Sequence, residues 1–147
     1  MNYLFDTNVL LKYIRERSFR GKIEAEFDMP NPENRNFISI ASVGELKALS
    51  LKNAWGDKRN QELDKALEKF IIIDIRYMTL VNKYAEIDAF SQGKLKDKPL
   101  NTFSRNMGKN DLWIAATASL VNARLITYDK DFDHLDKVYL DLVLMTD

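Results

Sequence analysis

The stretch Tyr3-Leu4-Phe5-Asp6-Thr7-Asn8 constrains this chain more than any other. Three apolar or aromatic residues give way at once to three polar ones, and Val9-Leu10-Leu11 then resumes an apolar pattern. That pattern suits a short buried strand that ends in polar side chains and hands over to a helix. An Asp at such a junction has a role or a cost: buried and ionised, it needs a partner or a cation. In open α/β sheets, ligands bind in the crevice outside the carboxyl ends of the strands.

The same punctuation recurs along the chain. From Val9 the set Leu10, Leu11, Tyr13 and Ile14 suits a helix that Thr7 and Asn8 can start, and residues 15–29 read as a charge-rich surface helix. Residues 37–40 read as a second strand. Ser42-Val43-Gly44-Glu45 then has the form of a capping box, with Ser42 at the N-cap and Glu45 three residues on. That helix runs through Leu46 and Leu49 towards Trp55, where Gly56-Asp57 breaks it, and residues 60–70 read as the next helix. Residues 70–75 read as a third strand, and their β-branched run suggests burial on both faces. Helices follow from Thr79 and over 111–121, separated by an irregular stretch at 91–109. Residues 125–127 form a fourth strand ending in Tyr128-Asp129-Lys130-Asp131, and residues 138–145 supply a final strand or two. Strands alternating with helices imply an α/β domain, a central parallel sheet of about five strands flanked by helices on both faces.

Composition narrows the chemistry. A length of 147 residues makes one domain the default. There is no cysteine and one histidine, His134, which excludes a thiol nucleophile, a disulfide framework and a multi-histidine zinc site. His134 reads as a surface or capping residue and Trp113 as core. The 22 basic and 22 acidic side chains cancel, which argues against a uniformly basic surface but leaves room for patches. No apolar run approaches about 18 residues, and Asp6 stands where a secretory leader needs an apolar core, so a cytoplasmic protein without a membrane span is expected.

The position of the acids matters more than their number. Asp6 ends the first strand, Glu45 lies one turn into the helix after the second, Asp111 opens the Trp113 helix, and Asp129 ends the fourth strand. Each has a structural role open to it: Asp6 as N-cap, Glu45 as the partner of Ser42, Asp111 as dipole compensation, Asp129 and Asp131 as turn residues. In a parallel sheet, however, all four positions converge on one edge. Such an oxygen cluster suits Mg²⁺ or Mn²⁺, which lower the pKa of coordinated water and stabilise charge on a phosphoryl oxygen. Metal-assisted phosphodiester hydrolysis is the chemistry this edge best fits. Clustered like charges should also raise the carboxylate pKa values when no metal is bound.

Four motifs occur in order: Asp6-Thr7-Asn8-x-Leu10-Leu11, a mid-chain helical Glu45, Asn110-Asp111-x-x-Ile114-Ala115-Ala116, and Thr127-x-Asp129-x-Asp131-Phe132. Together they resemble the successive motifs of the PIN-domain ribonuclease family, in particular the VapC-type toxins of type II toxin–antitoxin pairs. The resemblance implies a parallel sheet flanked by helices, an acidic pocket that binds Mg²⁺ or Mn²⁺, an RNA substrate and, for a toxin, a cognate antitoxin. Homodimers are common in the family. It gives the metal-site and catalytic roles to Asp6, Glu45, Asp111 and Asp129, with Asn8, Asn110 and Thr127 at polar positions beside them. The fourth acid stays open between Asp129 and Asp131.

On this reading Asp6 and Asp111 hold the main ion, and Glu45 orients or deprotonates water or ligates a second ion. Asp129 closes the site or holds the second ion, while Asn8 and Thr127 hydrogen-bond the carboxylates. RNA needs basic contacts as well. The first candidates are Lys94, Lys96, Arg105 and Lys109 in the irregular stretch, where Asp97 is the one acid, and the second are Arg15, Arg17 and Arg20. An antitoxin would call for an apolar groove between the helices at 9–29 and 42–70, marked by exposed aromatic residues. The alternatives are a PIN domain of RNA processing, a non-cleaving RNA or protein binder, and a haloacid-dehalogenase-type phosphatase. The last needs a second Asp where this chain has Asn8.

Overall fold

β1 (Asn2–Phe5) is the middle strand of an all-parallel five-stranded sheet in the computed structural model, which describes residues 1–147. β2 (Arg35–Ser39) pairs on one side, with Phe37 opposite Leu4, and β4 (Arg124–Thr127) on the other, with Ile126 opposite Phe5. β3 (Ile71–Ile73) and β5 (Asp141–Leu144) form the edges, giving the order β3-β2-β1-β4-β5. The chain winds outward from β1 to β3, then crosses back to β4, so the winding direction reverses between β1 and β4. That reversal opens the crevice where α/β sheets take ligands, and Asp6 and Asp129 flank it.

Alternate strand residues face opposite sides, and each side has its own core. Leu4, Phe37 and Leu125 face a cluster built with α5 (Met78–Ser91) and α6 (Lys109–Leu120). Phe5, Ile38 and Ile126 face a second cluster that includes α1 (Thr7–Arg15), α2 (Arg17–Glu26), α3 (Ile40–Lys52) and α4 (Asp57–Leu67). Ile38 is wholly buried, so truncating it to alanine should cost about 2–5 kcal/mol. Helix α1 buries Val9, Leu10, Tyr13 and Ile14 along one stripe. Its C-terminal carbonyls are satisfied by Arg20, whose guanidinium donates to the Tyr13 and Ile14 oxygens at 3.0 Å each.

Two local expectations are corrected, and a third is narrowed. Residues 71–73 are not buried on both faces: β3 is an edge strand, and Ile71 and Ile72 remain 47% and 43% exposed. Nothing pairs beyond it, and a β-branched run does not by itself distinguish edge from centre. The N-cap of α3 is Ser39, whose hydroxyl accepts the Ala41 N–H, and not Ser42, which lies buried inside the helix. The C-terminal stretch gives the single strand β5, preceded by a 3₁₀ turn over Lys130–Leu135. No helix is long and apolar enough to cross a membrane.

Candidate active site

Asp6 leaves β1 and caps α1. One carboxylate oxygen accepts the Thr7 N–H at 2.7 Å and the other accepts the Thr127 hydroxyl at 2.7 Å. Its own N–H donates to the Ile126 carbonyl, which ties the β1 and β4 ends together. The side chain is therefore both a cap and a buried charge, with the residue 4% exposed. Burial pushes its pKa up to about 6. The Thr127 and Thr7 hydrogen bonds oppose that rise, and the charges of Glu45 and Asp129 add to it.

Glu45 arrives from α3 and is held by Thr7. The Thr7 hydroxyl lies 2.8 Å from the Glu45 carboxylate and 2.9 Å from the Ser42 hydroxyl. A hydroxyl has one proton to give. Donating it to the carboxylate leaves Thr7 free to accept from Ser42. Thr7 thus bonds Asp6 with its backbone and Glu45 with its side chain. Sequence reasoning missed Thr7 and Ser42 as site residues. The signal was present: the Ser42–Glu45 spacing read as a capping box also puts the two on one face of a helix.

Asp111 sits in the first turn of α6, three residues after Gly108 at the N-cap. Its pKa rises to about 7, first because it is desolvated and then because Asp6, Asp129, Glu45 and Asp131 all repel its charge. Asp111 therefore occupies the common field of the other acids. Asp129 caps the 3₁₀ turn, accepting the Asp131 N–H at 2.8 Å, and its own N–H donates to the Thr127 hydroxyl at 3.0 Å. Thr127 consequently accepts from Asp129 and donates to Asp6. Asp129 is half-buried and acts on both Asp6 and Asp111, whereas Asp131 is exposed and acts on Asp111. The expected rise in carboxylate pKa is present at Asp6 and Asp111, but burial, ahead of mutual repulsion, is its main cause.

None of the four acids takes part in an ion pair with Lys or Arg. Nor does any group of three or more acids stand close enough together, as placed, to hold a metal ion. The edge is an open set of oxygen donors sharing one field. Beside it runs a groove of about 640 Å³ lined by Glu45, Asn110, Trp113, Ile75 and Lys52 among others. Trp113 is half-buried, its ring 4.2 Å from that of Tyr84.

Other expected residues fall elsewhere. Asn8 is exposed and bonds none of the acids; its oxygen accepts the Tyr128 N–H at 3.4 Å, just past the end of β4. Asn110 stands exposed on the groove rim. Lys94, Lys96 and Lys109 are exposed, and none pairs with the acids. Arg105 is committed to Asp133 at 2.7 Å, with its side chain 19% exposed. His134 is neither a surface nor a capping residue: it is half-buried against Phe90, 2.7 Å from the Ser91 hydroxyl, and burial lowers its pKa to about 4.

The fold is a parallel sheet with carboxylates at its switch crevice, and comparison with known proteins places it in a family. Residues 3–138 match the PIN domain family, and the chain belongs to that family. It is 31% identical over 137 residues to ribonuclease VapC1 of Haemophilus influenzae strain R2866, covering 92% of each chain, and 30% identical to ribonuclease VapC1 of strain Rd. Among solved structures it resembles VapBC2 from Rickettsia felis bound to a promoter DNA fragment (TM-score 0.74, 24% identity, 99% and 100% of the two chains covered). It also resembles VapBC-1 from nontypeable Haemophilus influenzae (0.72, 24%, 98% and 98%) and a toxin–antitoxin complex from Klebsiella pneumoniae (0.63, 26%, 96% and 95%).

Proposed function

We propose that this chain is a divalent-metal-dependent endoribonuclease and the toxin of a type II toxin–antitoxin pair, restrained by a cognate antitoxin. The observation that carries the reading is the crevice between β1 and β4. Four carboxylates from four parts of the sequence act on one another there, none of them in an ion pair with Lys or Arg, and burial raises the pKa of two towards neutrality. The relatives named ribonuclease VapC1 supply the substrate class.

The donor set fits Mg²⁺ or Mn²⁺: it is all oxygen, and an open arrangement suits an ion that keeps several waters. Asp6, Asp111 and Asp129 would hold it, with Glu45 beside them. Such an ion supplies Lewis-acid stabilisation of the phosphoryl oxygens and activates water. The protein's own part is orientation and proton handling. Thr127 fixes the Asp6 rotamer and the Asp129 backbone at once, and Thr7 holds Glu45 facing the groove. Glu45 takes the proton of the attacking water. Of the two candidates for the fourth acid, Asp129 is favoured, since it acts on both Asp6 and Asp111 while Asp131 serves the turn. Lys94, Lys96 and Lys109 add positive charge for the RNA, and Arg105 fastens their segment to Asp133.

The test is incubation of a labelled structured RNA with the protein in Mn²⁺ or Mg²⁺, in EDTA, and with an Asp6→Asn variant. Cleavage that needs the metal and disappears in the variant is the expected result. Cleavage that persists in EDTA, or survives the substitution, overturns the proposal.

A further inference from the structure

The space between the α1–α2 pair and α4, where an apolar antitoxin groove was expected, is basic instead. Tyr13, Phe19, Phe27 and Trp55 there are all buried. One depression, about 400 Å³, is lined by Arg15, Lys58 and Arg59 with Ile14, Gly56 and Glu62. A second, about 210 Å³, takes in Arg17, Arg20, Lys65 and Lys69. Glu62 lines both, so they form one trough with seven basic side chains and a single acid. Arg20 already holds that acid at 3.4 Å, and Lys69 reaches Glu24 at 3.4 Å. Arg15, Arg17, Lys58 and Lys65 are exposed and make no ion pair, and Arg59 lies over the Trp55 ring at 5.4 Å.

We infer that this trough carries the RNA phosphate backbone away from the scissile bond, an inference that rests on the nuclease reading. The lining selects the anion. A docked peptide gains most of its affinity from apolar or aromatic anchors in pockets, but Ile14 and Trp55 are only 1% and 8% exposed and offer none. A phosphate chain asks for charge and donors, and arginine presents a fork that matches a phosphate. Position agrees as well. Helix α1 starts at the Asp6 cap and delivers Arg15 nine residues later, about 13 Å along its axis at 1.5 Å per residue. An RNA chain that runs along the α1 flank would reach both.

The test measures binding of a fluorescent RNA in EDTA across a salt series, so that no cleavage is needed. Two double variants of the full chain are compared with wild type, Arg15→Glu with Arg59→Glu, and the milder Arg17→Gln with Lys65→Gln. Lys137→Glu, outside the trough, serves as control. Each lost single-strand contact should lower the slope of log K against log salt by about 0.7, so each pair should lower it by about 1.4. Affinity at about 0.1 M salt should fall tenfold or more in the charge-reversed pair, with the control unmoved. A wild-type slope in both double variants overturns the inference. So does loss of binding to a polyglutamate peptide with RNA binding intact, which would assign the trough to an acidic protein segment. Wild-type RNA binding without cleavage in Mn²⁺ would count against the nuclease reading alone.

Discussion

The acidic edge and the basic trough are opposites in one chain of zero net charge. At the edge the charges are acidic, partly or wholly buried, and held by hydroxyls and backbone N–H groups. In the trough they are basic, exposed and mostly unpaired. Burial makes the difference. Desolvation raises the pKa of Asp6 and Asp111, so the edge holds its charge at an electrostatic cost that a cation would relieve. The exposed cations of the trough pay little of that cost, because water screens them. On the proposed reading the two regions would serve two parts of one ligand, a reacting phosphate with its metal and the chain of phosphates that follows.

The largest effects should come from the edge. Asp6→Asn or Asp111→Asn should lower metal-dependent RNA cleavage by more than two orders of magnitude, beyond the roughly 10–100-fold typical of groups that merely support a ligand. Thr127→Val should show that smaller loss, about 10–100-fold in metal affinity by titration, since it frees Asp6 and the Asp129 backbone together while keeping the side-chain shape. Unchanged affinity in the valine variant would leave the Thr127 hydrogen bonds with a purely structural role.

A stability effect of opposite sign should accompany the loss of activity. An acid whose folded pKa lies above its unfolded value favours the fold at low pH, and that contribution is lost as pH rises through the folded value. For Asp111 the window runs from the ordinary value of 3.8 to about 7. Metal-free Asp111→Asn should therefore be more stable than wild type at pH 8, by on the order of 1 kcal/mol once the shift is discounted for solvent screening of a half-exposed group. The difference should narrow at pH 5 and close only below the ordinary value of 3.8, and chemical denaturation in EDTA along that pH series checks it. The smallest effect belongs to the irregular basic stretch: Lys96→Glu should lower the salt slope of RNA binding by no more than one contact, about 0.7.

The edge was legible in the sequence because a change of pattern marks three of the four acids. Leu4-Phe5 stops at Asp6, Ile126 stops short of Asp129, and Asp111 opens a run of small apolar residues. Those switches follow from strand geometry and helix capping, which are local. What was not legible depends on partners far along the chain. Thr7 looked like a helix starter until folding placed it beside Ser42 and Glu45, more than thirty residues away. Ser39 and Ser42 are equally good caps by composition, and only the register of β2 decides between them. The isoleucines of β3 read as central because strand order is invisible in a local run. The trough was half visible: Arg15, Arg17 and Arg20 stood out, but Lys58, Arg59 and Lys65 join them only when α4 packs across α1.

The most direct test of the edge as a cation site is calorimetric titration of Mn²⁺ into the protein at about pH 6.5, repeated in buffers of different ionisation enthalpy. With Asp111 near 7 and Asp6 near 6, binding should release about one proton, and Asp111→Asn should abolish most of that release and weaken binding. Binding with no proton release, or with a release and affinity that Asp111→Asn leaves unaltered, would show that the ion does not sit among these carboxylates.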